Sequence, residues 1–424
     1  MKAKIKSITQ LDFFRNVVHT VVSKVLFIGI GVATSIIIMR TLGPELRGVY
    51  AKALAISSFA VQFGTLGFHA SNTYFTAKNK NQMGSIAANS AYISALIGAI
   101  SLLGLWGTKI LFPNIIQFTY LEIFLIVLTI PTQLLGMLWK AVAQGMEWFK
   151  LINVTEVALR LVYFFVMMGL WLGNVVNINT LLIAVSIEQL GSLWWMFRKM
   201  KAEQHGRWTF SFDLLKEQSG YSFRAYLSAF FAFMVIKADV FMVDYYAGKE
   251  QLGYYSTATL LVDYAGFIGV AIAAILMPRL SGTENLAEIF RLNWRVLKNT
   301  AFLMSFVVLG TFLLGGWGIE LLFGKAFVPA EEPLKILILS RYLLWLQIVV
   351  VQVFNATGLP WRIIGYWVVA VIVNIVANAV WIPQYGIVGA SWASVLAHGV
   401  DLILVGLDAA LFYRNRVKNS ANTL

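Results

Sequence analysis

The chain is 424 residues long, 59% hydrophobic and only 12% charged. A soluble domain carries about 25% charged residues, and a core of this size could not hide so much apolar surface from water. Composition therefore excludes a soluble enzyme and a disordered chain, and it indicates a polytopic membrane protein. The formal net charge of +13 does not point to nucleic acid. The basic residues concentrate in short connectors between apolar runs, which is the pattern of membrane topology.

A helix needs about 20 apolar residues to cross a bilayer. In chain order the predicted spans are residues 17–39, 49–68, 85–105, 120–142, 151–172 and 178–197, followed by 221–245, 252–277, 297–322, 334–354, 363–382 and 387–412. The first run follows Lys2, Lys4 and Lys6. It is too long for a signal peptide and no small-residue cleavage site follows it, so it reads as a retained helix. With the N-terminus placed in the cytoplasm, inner connectors hold about 21 Lys and Arg and outer ones about six, which puts both termini in the cytoplasm. Lys140 and Lys150 are counted among those inner connectors.

The longest connector, around residues 198–219, separates two sets of six spans. The expected organisation is a six-helix lobe over 1–200, a cytoplasmic linker over 201–219 and a second six-helix lobe over 220–424. The halves echo each other. The stretch Gly43-Pro44-Glu45-Leu46-Arg47-Gly48-Val49-Tyr50-Ala51-Lys52-Ala53 aligns without gaps on Gly248-Lys249-Glu250-Gln251-Leu252-Gly253-Tyr254-Tyr255-Ser256-Thr257-Ala258, with about five of eleven positions identical. A second echo pairs Ala143-Gln144-Gly145-Met146-Glu147-Trp148 with the segment from Ala356 to Trp361. The fold class expected is an all-α membrane protein of about twelve spans in two pseudo-symmetric lobes around a central cavity.

Several chemistries have no residues to carry them. The chain has no cysteine, and His19, His69, His205 and His398 match no metal-ligand spacing, so neither a metal nor a cofactor is expected. It lacks the glycine-lysine phosphate loop of ATPases and the G-x-S-x-G and H-E-x-x-H motifs of hydrolases, so catalysis is not expected.

Charges inside the predicted spans are the informative residues, because a charge at mid-bilayer costs a few kcal/mol unless it faces a cavity or a partner. Lys24 and Arg341 lie deep in their spans with no local partner, and Glu188 is similar. Lys237 and Asp239 are two residues apart and cannot face each other on a straight helix, so each needs a partner elsewhere; Asp263 is the one expected for Lys237. Glu156 and Arg160 read as an i,i+4 pair within one helix. Lys52, Arg224 and Asp408 lie near span ends, where snorkelling suffices. Asp401 is a further acid in the last span.

The segment Arg40-Thr41-Leu42-Gly43-Pro44-Glu45-Leu46-Arg47-Gly48-Val49-Tyr50-Ala51 resembles polysaccharide flippases of the multidrug/oligosaccharidyl-lipid/polysaccharide exporter superfamily. Lys237-Ala238-Asp239 with Gly253-Tyr254-Tyr255-Ser256-Thr257-Ala258 is similar to that family's helix 7–8 signature. The resemblance continues through Met277-Pro278-Arg279-Leu280-Ser281, Leu321-Leu322-Phe323-Gly324-Lys325-Ala326-Phe327, and Asn374, Asn378 and Ile382-Pro383-Gln384-Tyr385-Gly386-Ile387-Val388-Gly389-Ala390. It implies two six-helix lobes that flip a polyprenyl-pyrophosphate-linked oligosaccharide by alternating access across the bacterial inner membrane. The pathway implied is that of a surface polysaccharide, such as capsule or the O-antigen of lipopolysaccharide. The implied partners are the lipid-linked oligosaccharide, membrane lipids and the polysaccharide assembly machinery, with no nucleic acid.

An anionic head group suits a cavity with cations. The candidate substrate-binding residues are Lys24, Arg160, Lys237 and Arg341, and the candidate coupling or cavity acids are Glu188, Asp239 and Asp263. The rival readings are a cation-coupled multidrug exporter of the same superfamily, a membrane polysaccharide polymerase, and a non-transporting scaffold for glycan assembly.

Overall fold

The computed structural model describes residues 2–113, 117–203, 205–283, 285–357 and 361–421, with the side chains of 2–21, 224, 225, 267, 268, 270, 271, 273–275, 278, 361 and 416–421 outside the description. The expectations on Lys2, Lys4, Lys6, His19 and Arg224, and the middle of the second echo at 358–360, therefore lie outside the described side chains and residues.

The described residues are helical and contain no strand. The α-helices are α1 (Lys2–Thr65), α2 (Phe68–Lys78), α3 (Met83–Leu111), α4 (Tyr120–Gly145), α5 (Phe149–Leu172), α6 (Ile178–Glu203), α7 (Phe212–Lys237), α8 (Asp239–Ser281), α9 (Leu286–Phe323), α10 (Glu331–Ala356) and α11 (Trp361–Ala421). Among the described residues nine helical stretches are long and apolar enough to cross a membrane. Three of them, Val22–Thr65, Tyr226–Gly266 and Arg362–Asn415, are each divided in two at Gly43, Gly248 and Gly386, the second running from α7 across Ala238 into α8. Twelve spans result. The short α2 was not expected. A chain in hydrocarbon has this form because only a helix satisfies every backbone polar group within its own segment.

Local sequence explains the breaks. Gly43 has φ 68, ψ 179 and Gly248 has φ 84, ψ 176, a region open to glycine and almost nothing else. These two residues are equivalents in the first echo, so the repeat extends to the backbone angles. Pro44 then starts the next helix with its fixed φ. The echo also produces a reciprocal packing. The side of Gly48 that lacks a Cβ abuts the carbonyl of Lys249, and the same side of Gly253 abuts the carbonyl of Pro44. Equivalent residues thus exchange equivalent contacts, the mark of a local two-fold.

The helices cluster into two units, 1–42 with 53–227, and 43–52 with 228–424. The first holds a core around Met83, Ile86, Trp139, Val142 and Met196 and another around Val61, Ile130, Leu134 and Leu138. The second is built around Leu344, Phe354, Trp367, Val371, Ala397 and Val405, with a further cluster at Leu276, Leu280, Val349 and Val353.

The described residues of 201–219 comprise the end of α6, a stretch without regular structure over 205–211 and the start of α7. Their partners are in the first unit. Asn89 Nδ2 donates to the Ser211 carbonyl at 3.0 Å, and the Ser211 amide donates to Asn89 Oδ1 at 2.9 Å. The Gly84 amide donates to the His205 carbonyl, and Gly206 sits against the Asn81 carbonyl. Further along, Gln218 Nε2 donates to Asn72 Oδ1 at 3.0 Å and Ser222 Oγ donates to Ser71 Oγ at 2.9 Å. These bonds carry the start of α7 into the first unit and explain why that unit runs to Leu227. Asn89→Ala leaves the part-buried Ser211 amide unpaired and takes one of two bonds from the Ser211 carbonyl, which keeps that from the Leu215 amide. It is expected to cost about 2 kcal/mol, read as a lower Tm of the purified protein in detergent.

Candidate functional site: paired charges within each unit

In the first unit, α1, α4, α5 and α6 bring five charged side chains together. Lys24 Nζ lies 2.7 Å from Glu156, and Lys140 of α4 pairs with the other oxygen of the same carboxylate. One turn along α5, Arg160 reaches Glu188 of α6 at 3.5 Å. The expected intrahelical pair of Glu156 and Arg160 does not form; each points to a different neighbouring helix. A cross-helix partner relieves two buried charges at once, whereas an i,i+4 contact on one helix is worth only about 0.3–0.5 kcal/mol.

Arg160 is under-used. Its contact to Glu188 is long for a charge-assisted bond, and its buried Nε has no partner. The guanidinium lies over Phe27 at 4.8 Å and near Tyr163 at 5.5 Å, which orients the plane and leaves donors free. The group as a whole has three cations against two carboxylates. Lys24 and Lys140 retain 36% and 35% side-chain exposure, so a ligand can reach them.

Lys140 is the site residue that sequence reasoning missed. It falls within the predicted span 120–142 but was counted with the charges of the following connector and not among the site residues; α4 runs on to Gly145 and carries it to Glu156. The missed signal was an unbroken helical pattern, begun by the capping box of Thr119 and Glu122, that runs past the hydrophobic limit of the span.

In the second unit, Lys237 donates to Asp263 Oδ2 at 3.0 Å, as its position suggested, and Arg341 pairs with the other oxygen, Oδ1. Lys237 ends α7 and Asp239 begins α8, with the helix interrupted at Ala238. The interruption sends the two residues apart: Asp239 accepts from the Tyr255 hydroxyl and lies 3.5 Å from Ser394 Oγ. A cavity of about 20 Å³ is lined by Asp239, Tyr255, Ser340, Arg341, Ser394 and His398. Tyr255, Ser394 and His398 were not singled out from the sequence, since neutral groups in an apolar run carry no charge signal.

Two further expectations are corrected. Lys52 does not snorkel; it forms an ion pair with Asp244 at 2.6 Å with both side chains largely buried. Asp408 is held by Arg362 at 2.6 and 2.8 Å and by the Tyr366 hydroxyl. A desolvated charge gains more from a fixed partner than from reaching for the interface.

Asp263 serves two cations, so Asp263→Asn strands both. Breaking a fully buried pair costs about 3–5 kcal/mol. Asp263 is 35% exposed, so a cost of about 2 kcal/mol is expected. Thermal unfolding should show the drop, and adding Arg341→Gln should recover part of it.

The comparisons with known proteins agree with this architecture. The family of polysaccharide biosynthesis proteins matches residues 37–332, more than half of the chain. The probable flippase AglR of Haloferax volcanii is 25% identical over 172 residues, which are 39% of this chain and 36% of that protein. The chain thus spans well under half the length of this curated relative. The lipid II flippase MurJ in an inward closed conformation superposes with TM-score 0.76 at 13% identity, covering 94% of this chain and 87% of that one. A multidrug resistance MATE family transporter of the MOP superfamily, in an inward-facing conformation, superposes with TM-score 0.71 at 13% identity, covering 92% and 96%. These relatives are flippases and transporters, not enzymes. With its twelve helical spans and the fold shared by MurJ and MATE transporters, the chain belongs to the family of polysaccharide biosynthesis proteins.

Proposed function

We propose that this protein flips a polyprenyl-pyrophosphate-linked oligosaccharide across a membrane by alternating access. The observation that carries the reading is the first unit's cluster: three cations, two carboxylates and an Arg160 with an unused buried donor. A pyrophosphate brings the negative charge and acceptor oxygens that this set lacks. In the absence of ligand, Glu156 and Glu188 offset most of the cationic charge and lower its cost inside the bilayer. The substrate phosphates then compete with these acids for Lys24, Lys140 and Arg160. In the second unit Asp263 occupies Lys237 and Arg341 together, and these two cations are secondary contacts for the head group.

The lipid tail stays in hydrocarbon while the sugars cross in a polar environment, which avoids several kcal/mol for each unsatisfied hydroxyl. An inside-negative potential favours outward passage of an anion by about 2.3 kcal/mol per charge per 100 mV. The excess of basic residues in alternate connectors supports cytoplasmic termini in a bacterial inner membrane. The pathway served is that of a surface polysaccharide such as capsule or O-antigen, whose assembly machinery is the expected partner. Glu188, Asp239 and Asp263 are the acids available for coupling.

The test is a flip assay in liposomes. Labelled lipid-linked oligosaccharide is loaded in one leaflet, and accessibility of its sugar on the other side is followed. Protein-dependent equilibration supports the reading. Uptake of an organic cation along an ion gradient, with no lipid movement, would instead assign drug export.

A further inference from the structure

The second half of α11 carries a polar ladder that the anion site does not use. Ser394, His398 and Asp401 follow at i, i+4 and i+7 and therefore share one helix face. At one end of the ladder is the cavity bordered by Asp239, Ser340 and Arg341. At the other end Asp401 is fully buried, and neither carboxylate oxygen has a hydrogen-bond partner. Its neighbours one turn away on either side, Ala397 and Val405, belong to the apolar cluster with Leu344, Phe354 and Val371.

His398 shares its Nδ1 between two partners. Its Nδ1 lies 2.9 Å from the Ser394 carbonyl and 2.8 Å from Ser340 Oγ. With the Ser394 carbonyl as acceptor Nδ1 carries the hydrogen and Nε2 is the bare nitrogen; with the Ser340 hydroxyl as donor the hydrogen moves to Nε2 and Nδ1 is bare, so the neutral ring has one nitrogen free to take a proton in either case. That Nε2 is buried and has no partner, and the same holds for Asp239 Oδ1. The three carboxylate oxygens without a partner, two on Asp401 and one on the neighbouring Asp239, are acceptors. What they lack is hydrogen.

A buried carboxylate without a hydrogen bond is far costlier than its neutral acid. A metal ion would need several oxygen or nitrogen ligands. Among the described residues no group of three or more His, Asp and Glu could hold one, and Asp401 is flanked by alkyl groups. The charged and titratable groups facing this ladder from other elements are Arg341 of α10, Tyr366 of the first half of α11, and Asp239 and Tyr255 of α8. Tyr366 is committed to Asp408, and Arg341 to Asp263.

We propose that Asp401 is a proton-binding site, filled through His398 from the cavity. A proton from cavity water adds to the bare nitrogen of His398 and reaches an Asp401 oxygen, three residues on along the same face, through rotation of the ring or an intervening water, since no hydrogen bond joins the two side chains. The imidazole returns to neutral, the carboxylate goes from −1 to 0, and no electrons move. The cavity, at about 20 Å³, has room for the single water this needs. Proton uptake removes the charge from the apolar cluster of the second unit, so packing there depends on occupancy. The site rests on its own geometry; only its use in driving transport rests on the flippase reading.

Infrared difference spectra of the full chain in nanodiscs, recorded between acidic and basic buffer, decide the matter without any substrate. The expected result is a pH-dependent carboxylic-acid C=O band that disappears in Asp401→Asn and persists in Asp263→Asn and Glu188→Gln. Asp401→Glu, which keeps the acid, should shift the band and serves if the Asn variant folds poorly. His398→Gln should keep the band at equilibrium but slow its appearance after a pH jump. A band unchanged in both Asp401 variants, no such band in the parent protein, or a response to Na⁺ at fixed pH in its place, would each overturn the proposal. In the flip assay, Asp401→Asn should then lose the pH dependence of the parent rate.

Discussion

Arg160→Gln is expected to slow flipping of the lipid-linked oligosaccharide by roughly 30- to 150-fold, the equivalent of about 2–3 kcal/mol. The size follows from its geometry. The guanidinium is ordered by Phe27 and Tyr163, has only a long contact to Glu188, and retains an unused buried donor. A phosphate oxygen arriving there gains charge-assisted bonds that displace little. Arg160→Lys should not restore the rate, because a point charge cannot both stack on the rings and present a planar fork. Lys24→Gln and Lys140→Gln should each cost less, since the other lysine still holds Glu156. The measurement is initial flip rate at matched protein density, with the Tm of each variant as a check on folding. Unchanged rates in all three neutral variants would remove the anion site from the first unit.

Gly48→Ala and Gly253→Ala are expected to produce matching losses of transport of at least tenfold. A Cβ at either position falls on a backbone carbonyl, that of Lys249 or of Pro44, and backbone cannot turn aside as a side chain can. Overpacking of this kind costs about 1–3 kcal/mol. Because the two contacts are reciprocal, either substitution lifts the same seat of residues 43–52 on α8, and the double variant should be little worse than either single one. Gly104→Ala is the control, since no atom lies near its missing Cβ. The Lys52–Asp244 pair at 2.6 Å offers a direct readout of seating. The chain has no cysteine, so Lys52→Cys with Asp244→Cys introduces the only two thiols. A short bismaleimide should link them readily in the parent background and slowly with Gly253→Ala. Equal linking in both backgrounds would show that the glycine pair does not set the seat.

Much of the fold was legible because membrane insertion is written in local sequence. Each span must satisfy its own backbone and be apolar along its length, so the windows that predict twelve spans match the helices and their glycine breaks. The echo of Gly43 and Gly248 was legible for the same reason: a backbone angle open only to glycine forces the residue type. Boundaries were less visible. Lys140, near the end of the predicted span 120–142, was counted with the connector charges because hydropathy falls where charge begins, while a helix ends where its hydrogen bonds do.

Which charges stand within apolar runs, and their sign, were legible in the sequence alone. Lys24, Arg160, Glu188, Lys237, Asp239, Asp263, Arg341 and Asp401 each stand in a run too apolar to leave them unexplained. Lys237 with Asp263 was the one pair legible in the sequence; the other partners were decided only by tertiary structure. Glu156 takes Lys24 and Lys140 from two other helices, and Asp263 takes Lys237 and Arg341. Asp401 takes no one. Helical spacing fixes the face on which a side chain sits, but the partner depends on which helix is packed against that face. In hydrocarbon that choice is set by interlocking shape and by the need to neutralise each charge somewhere within reach.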